Sequence, residues 1–351
     1  MGVSKRNNYV VGFTVFVTLI FLAILAVISY VIINEKTIVV PDEVGSIQSA
    51  VDEAQEGDII LVKAKEDGTP YNESVTIDKD HIKLIGIGKE KPVLDGAGVA
   101  TSGITLNDRT GVLVKNFIVQ EFFDQGIHLS NSATSNRIVG NMIKDNVNRG
   151  IRLNDSVTGN VIKGNSLILN GFRGVDIDNS TSNIFHGNTL NNNGTGIGLE
   201  NNSDNNMLKA NTVNDNENRG IILVNSTSNR ISANILNNSN LNEGILLINS
   251  SGNLIKGNTV NENGDENTEV GIDLFNSDDN TITGNKVRDN AGDGIFLDAN
   301  STGNDVHFNR LFGNGDGGFT TFDINNQNII PPLNNFKGNE CDNSDPNGLC
   351  N

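Results

Sequence analysis

From residue 104 onwards, apolar residues recur in short alternating stretches separated by Asn, Gly, Ser and Asp. In the I-x-L and I-x-G-N-x-V stretches every second residue is apolar, which is the period of a β-strand with one buried face. None of these stretches is long enough for a helix, and the residues between them readily adopt turn or left-handed geometry. The pattern therefore predicts many short strands joined by tight turns.

These stretches belong to a repeat of 22 to 27 residues, whose shared pattern is G-I-x-L-x-N-S-x-x-N-x-I-x-G-N-x-V-x-x-N. Successive units open at Ile104, Ile127, Ile151, Val175, Ile197, Ile221, Ile245, Ile272 and Ile295. A repeat of this length, with two or three strands per unit, indicates a coil whose turns stack about 4.8 Å apart. We predict an all-β fold, a single-stranded right-handed parallel β-helix (solenoid), over residues 37–330.

One asparagine recurs at the same place in each unit. The column is Asn141, Asn165, Asn188, Asn211, Asn234, Asn258, Asn285 and Asn309. Stacked inward-facing amides bond to one another and satisfy the backbone groups of the turns, which an apolar side chain would not do. We therefore expect an asparagine ladder; a column of ligand-binding amides is the alternative.

Both ends of such a coil need a cover, since exposed strand edges promote aggregation. At the first end, Ser46 and Gly57 bracket a predicted capping helix near residues 46–56, with Ile47, Ala50 and Val51 on its apolar face. At the other end, a double proline at 331–332 breaks the repeat before a cap at 331–351. In that cap, Cys341 and Cys350 are expected to form a disulfide rather than free thiols or a metal site.

The N-terminus carries an uncharged, mostly apolar run of 25 residues, Tyr9 to Ile33. At about 1.5 Å per residue it exceeds a bilayer core of roughly 30 Å, so we predict a transmembrane anchor at 9–33. Lys5 and Arg6 precede it, which keeps residues 1–8 in the cytoplasm and places the body on the extracytoplasmic side. A cleaved signal peptide is the alternative, and both interpretations export the body.

Charge narrows the range of partners. The chain has 25 basic and 42 acidic residues and a formal charge of −17. Such an acidic field repels phosphate backbones and anionic membrane surfaces, so nucleic acid is not expected as a partner and the membrane is contacted only through the N-terminal helix.

The residue between Ile and Leu in each G-I-x-L strand points outward, and three successive units place His128, Arg152 and Asp176 there. These three are the candidate catalytic residues, for moving a proton on a sugar unit. Candidate substrate-binding residues are expected on the same face: Asp124, Arg149, Arg173, Asp178, Arg219 and Asp273. The arginines predict a local cationic strip that neutralises a uronate carboxylate, and surface salt bridging is the alternative.

The 27-residue unit carries an acidic insertion. Asp265, Glu266 and Glu269 lie in it, with Asp289 and Asp293 on the following turn. Clusters of hard oxygen ligands hold Ca²⁺, so calcium is a candidate ligand here, and a solvated loop is the alternative. No cofactor is required by any other motif.

The segment SIQSAVDEAQEGDIILVKAKEDGTPYNESVTIDKDHIKLIGIGKEKPVLDG, followed by the repeats, resembles pectin-lyase-fold proteins. This opening is similar to that of pectin methylesterase-like proteins and of NosD-like periplasmic copper-enzyme maturation factors. The resemblance implies the β-helix fold, but polygalacturonase-like acidic pairs, a Gly-His-Gly segment and an epimerase-like Asp-Pro-His are missing. With four His and three Met in the chain, copper is not carried over.

The sequence therefore predicts a membrane-anchored, extracytoplasmic β-helix that binds a polysaccharide. Processing of that polysaccharide by a lyase, epimerase or glycoside hydrolase activity is left open. A non-catalytic structural or adhesion module and an assembly factor for an exported metalloprotein are the alternatives.

Overall fold

The computed structural model describes residues 35–98, 100–238, 242–264, 269–315, 321–328, 331 and 333–350. The predicted cytoplasmic segment 1–8 and anchor 9–33 lie outside these residues. Within the described part of the chain, no helix is both long and apolar enough to cross a membrane.

The described residues form one helix and short parallel strands, numbered β1 to β35 in chain order, in three sheets. The first sheet contains β1 (Thr37–Val40), β2 (Ile59–Lys63), β4 (Lys83–Ile87), β7 (Leu113–Lys115), β10 (Arg137–Val139), β13 (Val161–Lys163), β16 (Ile184–His186), β19 (Met207–Lys209), β22 (Arg230–Ser232), β25 (Leu254–Lys256), β28 (Thr281–Thr283), β31 (Asp305–His307) and β34 (Asn335–Lys337).

The second sheet contains β5 (Val93–Asp95), β8 (Ile118–Gln120), β11 (Met142–Lys144), β14 (Ser166–Ile168), β17 (Thr189–Asn191), β20 (Thr212–Asn214), β23 (Ile235–Asn237), β26 (Thr259–Asn261), β29 (Lys286–Arg288) and β32 (Arg310–Phe312). The third sheet contains β3 (Val75–Ile77), β6 (Ser102–Asn107), β9 (Gln125–Ser130), β12 (Arg149–Asn154), β15 (Arg173–Asp178), β18 (Thr195–Glu200), β21 (Arg219–Val224), β24 (Ile245–Ile248), β27 (Ile272–Phe275), β30 (Ile295–Leu297), β33 (Ile324–Asn326) and β35 (Ser344–Asp345).

From β4 to β33 each turn of the coil contributes one strand to each sheet. The chain is therefore a right-handed parallel β-helix, as the repeat predicted, and it has three strands in each of these turns. The register keeps equivalent residues of successive units above one another: Ile127 pairs with Ile151, and Ile151 with Val175. These apolar residues are fully buried and form one continuous core inside the coil. Stacking identical units is what lets strands of three residues persist, since each alone buries too little surface.

The predicted asparagine ladder is confirmed. The Asn141 amide oxygen accepts the backbone N–H of Phe117. Each later amide oxygen of the column accepts the backbone N–H of the equivalent asparagine one turn earlier, and the column continues to Asn339. The structure adds two further asparagine ladders and a serine ladder. They consist of Asn136, Asn160, Asn183, Asn206, Asn229, Asn253, Asn280, Asn304 and Asn334; of Asn146, Asn170, Asn193 and Asn216, with Asn263, Asn290 and Asn314 later; and of Ser180, Ser203, Ser226, Ser250, Ser277 and Ser301.

Helix α1 (Ile47–Glu53) packs against the first turn of the coil. Ser46 is its N-cap, and the Glu73 carboxylate accepts the free N–H groups of Ile47 and Gln48 at 2.9 Å each. The helix ends at Glu53, earlier than Gly57 indicated, because the Asp58 carboxylate captures the N–H of Gln55 at 2.8 Å.

The coil extends past residue 330. Strand β34 pairs with β31 and β35 pairs with β33, so the tail continues the first and third sheets rather than only folding across them. Cys341 and Cys350 form the predicted disulfide, with Cα atoms 5.3 Å apart. This bond ties the last rung to the end of the chain.

Candidate functional site

The outer face of the third sheet brings the three candidate catalytic residues into line. Arg152 in β12 pairs with His128 in β9 on one side and with Asp176 in β15 on the other. Neighbouring strands lie about 4.8 Å apart, so the three side chains occupy adjacent rungs of one surface.

Asp176 is the centre of an ion-pair network. Its Oδ2 accepts from Nε of Arg149 at 2.5 Å, and its Oδ1 accepts from Nη1 of Arg173 at 2.5 Å. Only 4% of the Asp176 side chain is exposed. A carboxylate whose two oxygens are both held by guanidinium groups is suited to positioning arginines, and is poorly suited to the proton transfer predicted for it.

The same arginines have further acidic partners. Arg149 also bonds Asp124 at 3.0 Å, Arg173 bonds Glu200, and Arg152 lies 3.9 Å from Asp178. We call the seven residues the charged network: Asp124, Arg149, Arg152, Arg173, Asp176, Asp178 and Glu200. Three guanidinium groups face four carboxylates in it, which leaves a formal charge of −1. These ion pairs favour surface salt bridging, the alternative to the predicted cationic strip, because each arginine lies beside a carboxylate.

Gly198 makes room for this network. It occupies the outward position after Asp176, and a Cβ there would lie 2.6 Å from the guanidinium carbon of Arg173. Burial lowers the pKa of Arg173, but the hydrogen bond to Glu200 and the charge of Asp176 raise it more, so the pKa lies above its ordinary value. Arg173 is thus charged and nearly covered, with 7% of its side chain exposed.

His128 lies at the edge of the charged network. Its Nε2 is 2.6 Å from Oδ1 of Asn154, and since a carbonyl oxygen only accepts, Nε2 is the donor. Burial lowers the pKa of His128 more than the Asn154 bond raises it, with a smaller lowering effect from the charge of Arg152. His128 is therefore a neutral imidazole at neutral pH, with Nδ1 as an acceptor.

Sequence reasoning missed three exposed apolar residues directly beside the charged network. Phe123, Val147 and Phe172 lie in the turns before β9, β12 and β15, and 56%, 51% and 44% of their respective surfaces are exposed. We call them the apolar ridge. The Phe172 ring contacts the network directly, with the guanidinium carbons of Arg149 and Arg173 at 5.1 and 4.6 Å from its centroid. For Phe172 a sequence signal was present, since this aromatic residue directly precedes Arg173.

Arg219 and Asp273 do not join this network. Arg219 bonds Glu243 at 2.6 Å, and Asp273 lies in β27, four rungs beyond Asp176. Ile222 and Leu246 occupy the outward positions in between and are nearly buried. The predicted substrate-binding residues thus fall into two separate groups on one sheet.

The calcium hypothesis gains no support from the described residues. Asp265 and Glu266 lie outside them, and Asp289 is 3.7 Å from Arg288. Both oxygens of Asp293 already accept protein hydrogen bonds, from the Phe322 N–H and the Asn325 amide. No group of three or more His, Cys, Asp or Glu is arranged for a metal ion in the described part, Glu269 included.

Comparison of the sequence with known protein families identifies the family of this chain. The sequence profile described as periplasmic copper-binding protein (NosD) matches residues 101–265 and 219–348. The chain belongs to the NosD family. No curated protein matches it in sequence.

The copper in the NosD family description does not fit the residues described here. His81, His128, His186 and His307 lie on different turns, and both cysteines are tied up in the disulfide, so they offer no thiolate. We assign no copper ligands and no step that requires copper.

Solved structures similar to this NosD-family chain share its fold. The A-module of mannuronan C-5 epimerase AlgE4 from Azotobacter vinelandii aligns with a TM-score of 0.66 and 16% identity, over 84% of this chain and 90% of that one. The periplasmic alginate epimerase AlgG aligns with a TM-score of 0.52 and 17% identity, over 87% and 83%. The Dettilon tailspike protein gp208 aligns with a TM-score of 0.61 and 18% identity, over 79% and 58%. At these identities the likeness concerns the fold.

Proposed function

We propose that this protein binds a polysaccharide across the outer face of the third sheet, over the apolar ridge and the charged network. The observation that carries the proposal is the half-exposed Phe172 ring packed against two fixed arginines. Sugars present C–H faces and hydroxyls, which match an apolar surface next to oriented donors and acceptors.

The charge balance of the network selects the kind of sugar. Because Arg149, Arg152 and Arg173 are already paired, an incoming carboxylate would have to compete with Asp124, Asp176 and Glu200. Hydroxyl groups are uncharged and do not have to displace a carboxylate from an arginine. They bond to the exposed parts of both the guanidinium and the carboxylate groups of the network. We therefore propose a neutral stretch of glycan as the ligand of this face.

Two of the solved structures of similar fold are named for activity on alginate or mannuronan, which supports a polysaccharide as the ligand class. Processing is the second candidate function. His128 favours it, since a neutral imidazole with an accepting Nδ1 at the edge of the network is suited to proton transfer. If no glycan binds, the alternative functions are a structural module and an assembly factor for a metalloprotein.

Replacing Phe172 by Ala is expected to weaken glycan binding about fivefold, because a stacked aromatic contributes about 1 kcal/mol. The full chain is first screened against neutral and uronate-containing polysaccharides, with unsaturated-product absorbance and reducing ends recorded for turnover. The affinity of each variant is then measured by calorimetry on the polysaccharide that binds.

Phe308→Ala is the matched control, since Phe308 is also exposed, at 58%, but lies between the first and second sheets. Arg152→Ala tests the charged network without removing the pairs that Asp176 makes to Arg149 and Arg173. If no polysaccharide binds, or if Phe172→Ala and Phe308→Ala behave alike, this face is not the binding site.

We also propose that the body lies outside the cytoplasm, anchored by residues 9–33. The disulfide between Cys341 and Cys350 supports export, because such bonds persist in oxidising compartments. When cells are quenched in acid and free thiols are alkylated, we expect both cysteines to be protected from the reagent. Alkylation of both cysteines in the untreated chain would contradict export.

A further inference from the structure

The second sheet carries a basic depression near the C-terminal end of the coil. It has a volume of about 310 Å³ and lies across β29 and β32. Its lining residues are Lys286, Arg288, Asp289, Arg310, Phe312 and Gly313. Three cations converge here in a chain whose formal charge is −17, and the volume is at the lower end of ligand pockets, roughly 300–1,000 Å³.

The register of the strands places like charges side by side. Lys286 pairs with Arg310 on the next strand, and such neighbours repel each other across a sheet. Arg310 bonds Glu340 at 2.8 Å, and Arg288 lies 3.7 Å from Asp289. Lys286 forms no ion pair with any residue that the structure describes. The depression therefore retains uncompensated positive charge, in contrast to the charged network of the third sheet.

The remaining lining residues shape the depression. Phe312 is about one-third exposed and stands beside Arg288 as an apolar wall. Gly313 also lines the depression, and with φ +67° a Cβ there would lie 2.8 Å from Oδ1 of Asp289, a clash that glycine avoids. An apolar wall next to a cation pair suits a ligand with a ring and an anionic group.

We propose that this depression binds an oxyanion carried on a sugar ring, either a carboxylate or a phosphate monoester. The ammonium of Lys286 and the two Nη groups of Arg310, whose Nε alone bonds Glu340, hold the oxyanion, and the ring packs on Phe312. The inference rests on the proposed polysaccharide function and adds a second binding place, specific for charged sugar units, on a different sheet.

The test is saturation-transfer NMR and calorimetry on the full chain with D-glucuronate, glucose 6-phosphate, glucose and inorganic phosphate. We expect millimolar binding of one or both anionic sugars and no binding of glucose. The double variant Lys286→Ala with Arg310→Ala is expected to raise the Kd about tenfold, since two exposed ionic contacts are lost. Phe312→Ala is expected to weaken binding of the anionic sugars about threefold and to leave the affinity for inorganic phosphate unchanged. Binding of only one anionic sugar identifies the source of the oxyanion.

Lys256→Ala, an exposed lysine of the first sheet, is the control for loss of one cation and is expected to bind normally. Should the alanine pair fail to fold, Lys286→Gln with Arg310→Gln keeps the side-chain length and removes the charge. The proposal is overturned if neither anionic sugar binds, if the double variant binds as tightly as the parent, or if phosphate binds as tightly as the sugars. Phe172→Ala separates this result from the proposed function. It is expected to weaken binding of the polysaccharide and to leave the affinity for the small anionic sugars unchanged.

Discussion

Asn188→Leu is expected to lower the free energy of unfolding by about 4 kcal/mol, although leucine is apolar, of similar volume and placed in the core. Asn188 is fully buried, and its Oδ1 accepts the backbone N–H of Asn165 at 2.9 Å. Its Nδ2 donates to Ile162 O at 3.0 Å and to Asn211 Oδ1 at 3.0 Å. Leucine would leave a buried N–H and a buried C=O without these partners, at about 1–3 kcal/mol each, and would break the ladder.

Denaturant unfolding followed by circular dichroism measures the effect. Asn192→Gly is the matched control: Asn192 is exposed, lies outside the ladder and has φ +55°, a conformation that glycine adopts freely. We expect the control to change stability by no more than about 1 kcal/mol. Equal effects of the two substitutions would mean that the ladder contributes nothing beyond turn geometry.

The ladder also explains how much of the fold could be predicted. A repeat of nearly constant length fixes which residues lie above one another, so one unit predicts the next without any knowledge of distant contacts. The column at Asn165 and Asn188 was visible because an asparagine stands at this place in each unit from Asn141 to Asn309, most often after a glycine. The columns containing Asn160 and Asn170 stand in the same shared pattern, at S-x-x-N and V-x-x-N, so the same stacking argument applies to them.

The candidate site was harder to predict because it depends on side-chain direction. Stacking of His128, Arg152 and Asp176 follows from the repeat alone, and the structure places them in register. How an arginine folds over its neighbours does not follow from the period. Arg173 turns over Gly198 to reach Glu200, and this fourth carboxylate gives the charged network its formal charge of −1.

The C-terminal boundary illustrates a different limit. Pro331 marks a break in the sequence pattern, yet β34 and β35 continue the sheets beyond it. Parallel pairing needs only an extended backbone in register, which the tail supplies without the G-I-x-L consensus. A consensus therefore shows where the coil is regular, and not where it ends.

Asp273 is expected to make the largest single-residue contribution to the pH dependence of the protein's stability. The residue keeps a small exposed fraction, but its Oδ1 is buried and has no hydrogen-bond partner among the described residues. Burial, and then the charges of Glu243, Asp298 and Asp293, raise the pKa of Asp273 to about 7 from 3.8, while Arg219 acts in the opposite direction. The folded protein therefore binds a proton here that the unfolded chain releases.

The sign of the effect follows from this difference. Below about pH 4 the carboxyl is protonated in both states, and the folded state keeps its full stability at this site. Between about pH 4 and pH 7 only the folded state is protonated, so stability is lost as pH rises, and above pH 7 the loss is complete. The rise in the pKa of Asp273 from 3.8 to about 7 corresponds to about 4 kcal/mol of stability.

Asp273→Asn is therefore expected to stabilise the protein by about 4 kcal/mol at pH 8 and by almost nothing near pH 4. Denaturant unfolding of the parent protein and of Asp273→Asn at several pH values gives the difference between their free energies of unfolding. The titration of the other carboxyl groups cancels in this difference. Exposed Asp279→Asn is the control for removing one negative charge from an acidic body. A stabilisation by Asp273→Asn that is equal at all pH values, or no larger than that of the control, would mean that Asp273 is ionised in the folded protein at neutral pH. Its buried Oδ1 would then need a partner that the described residues do not supply.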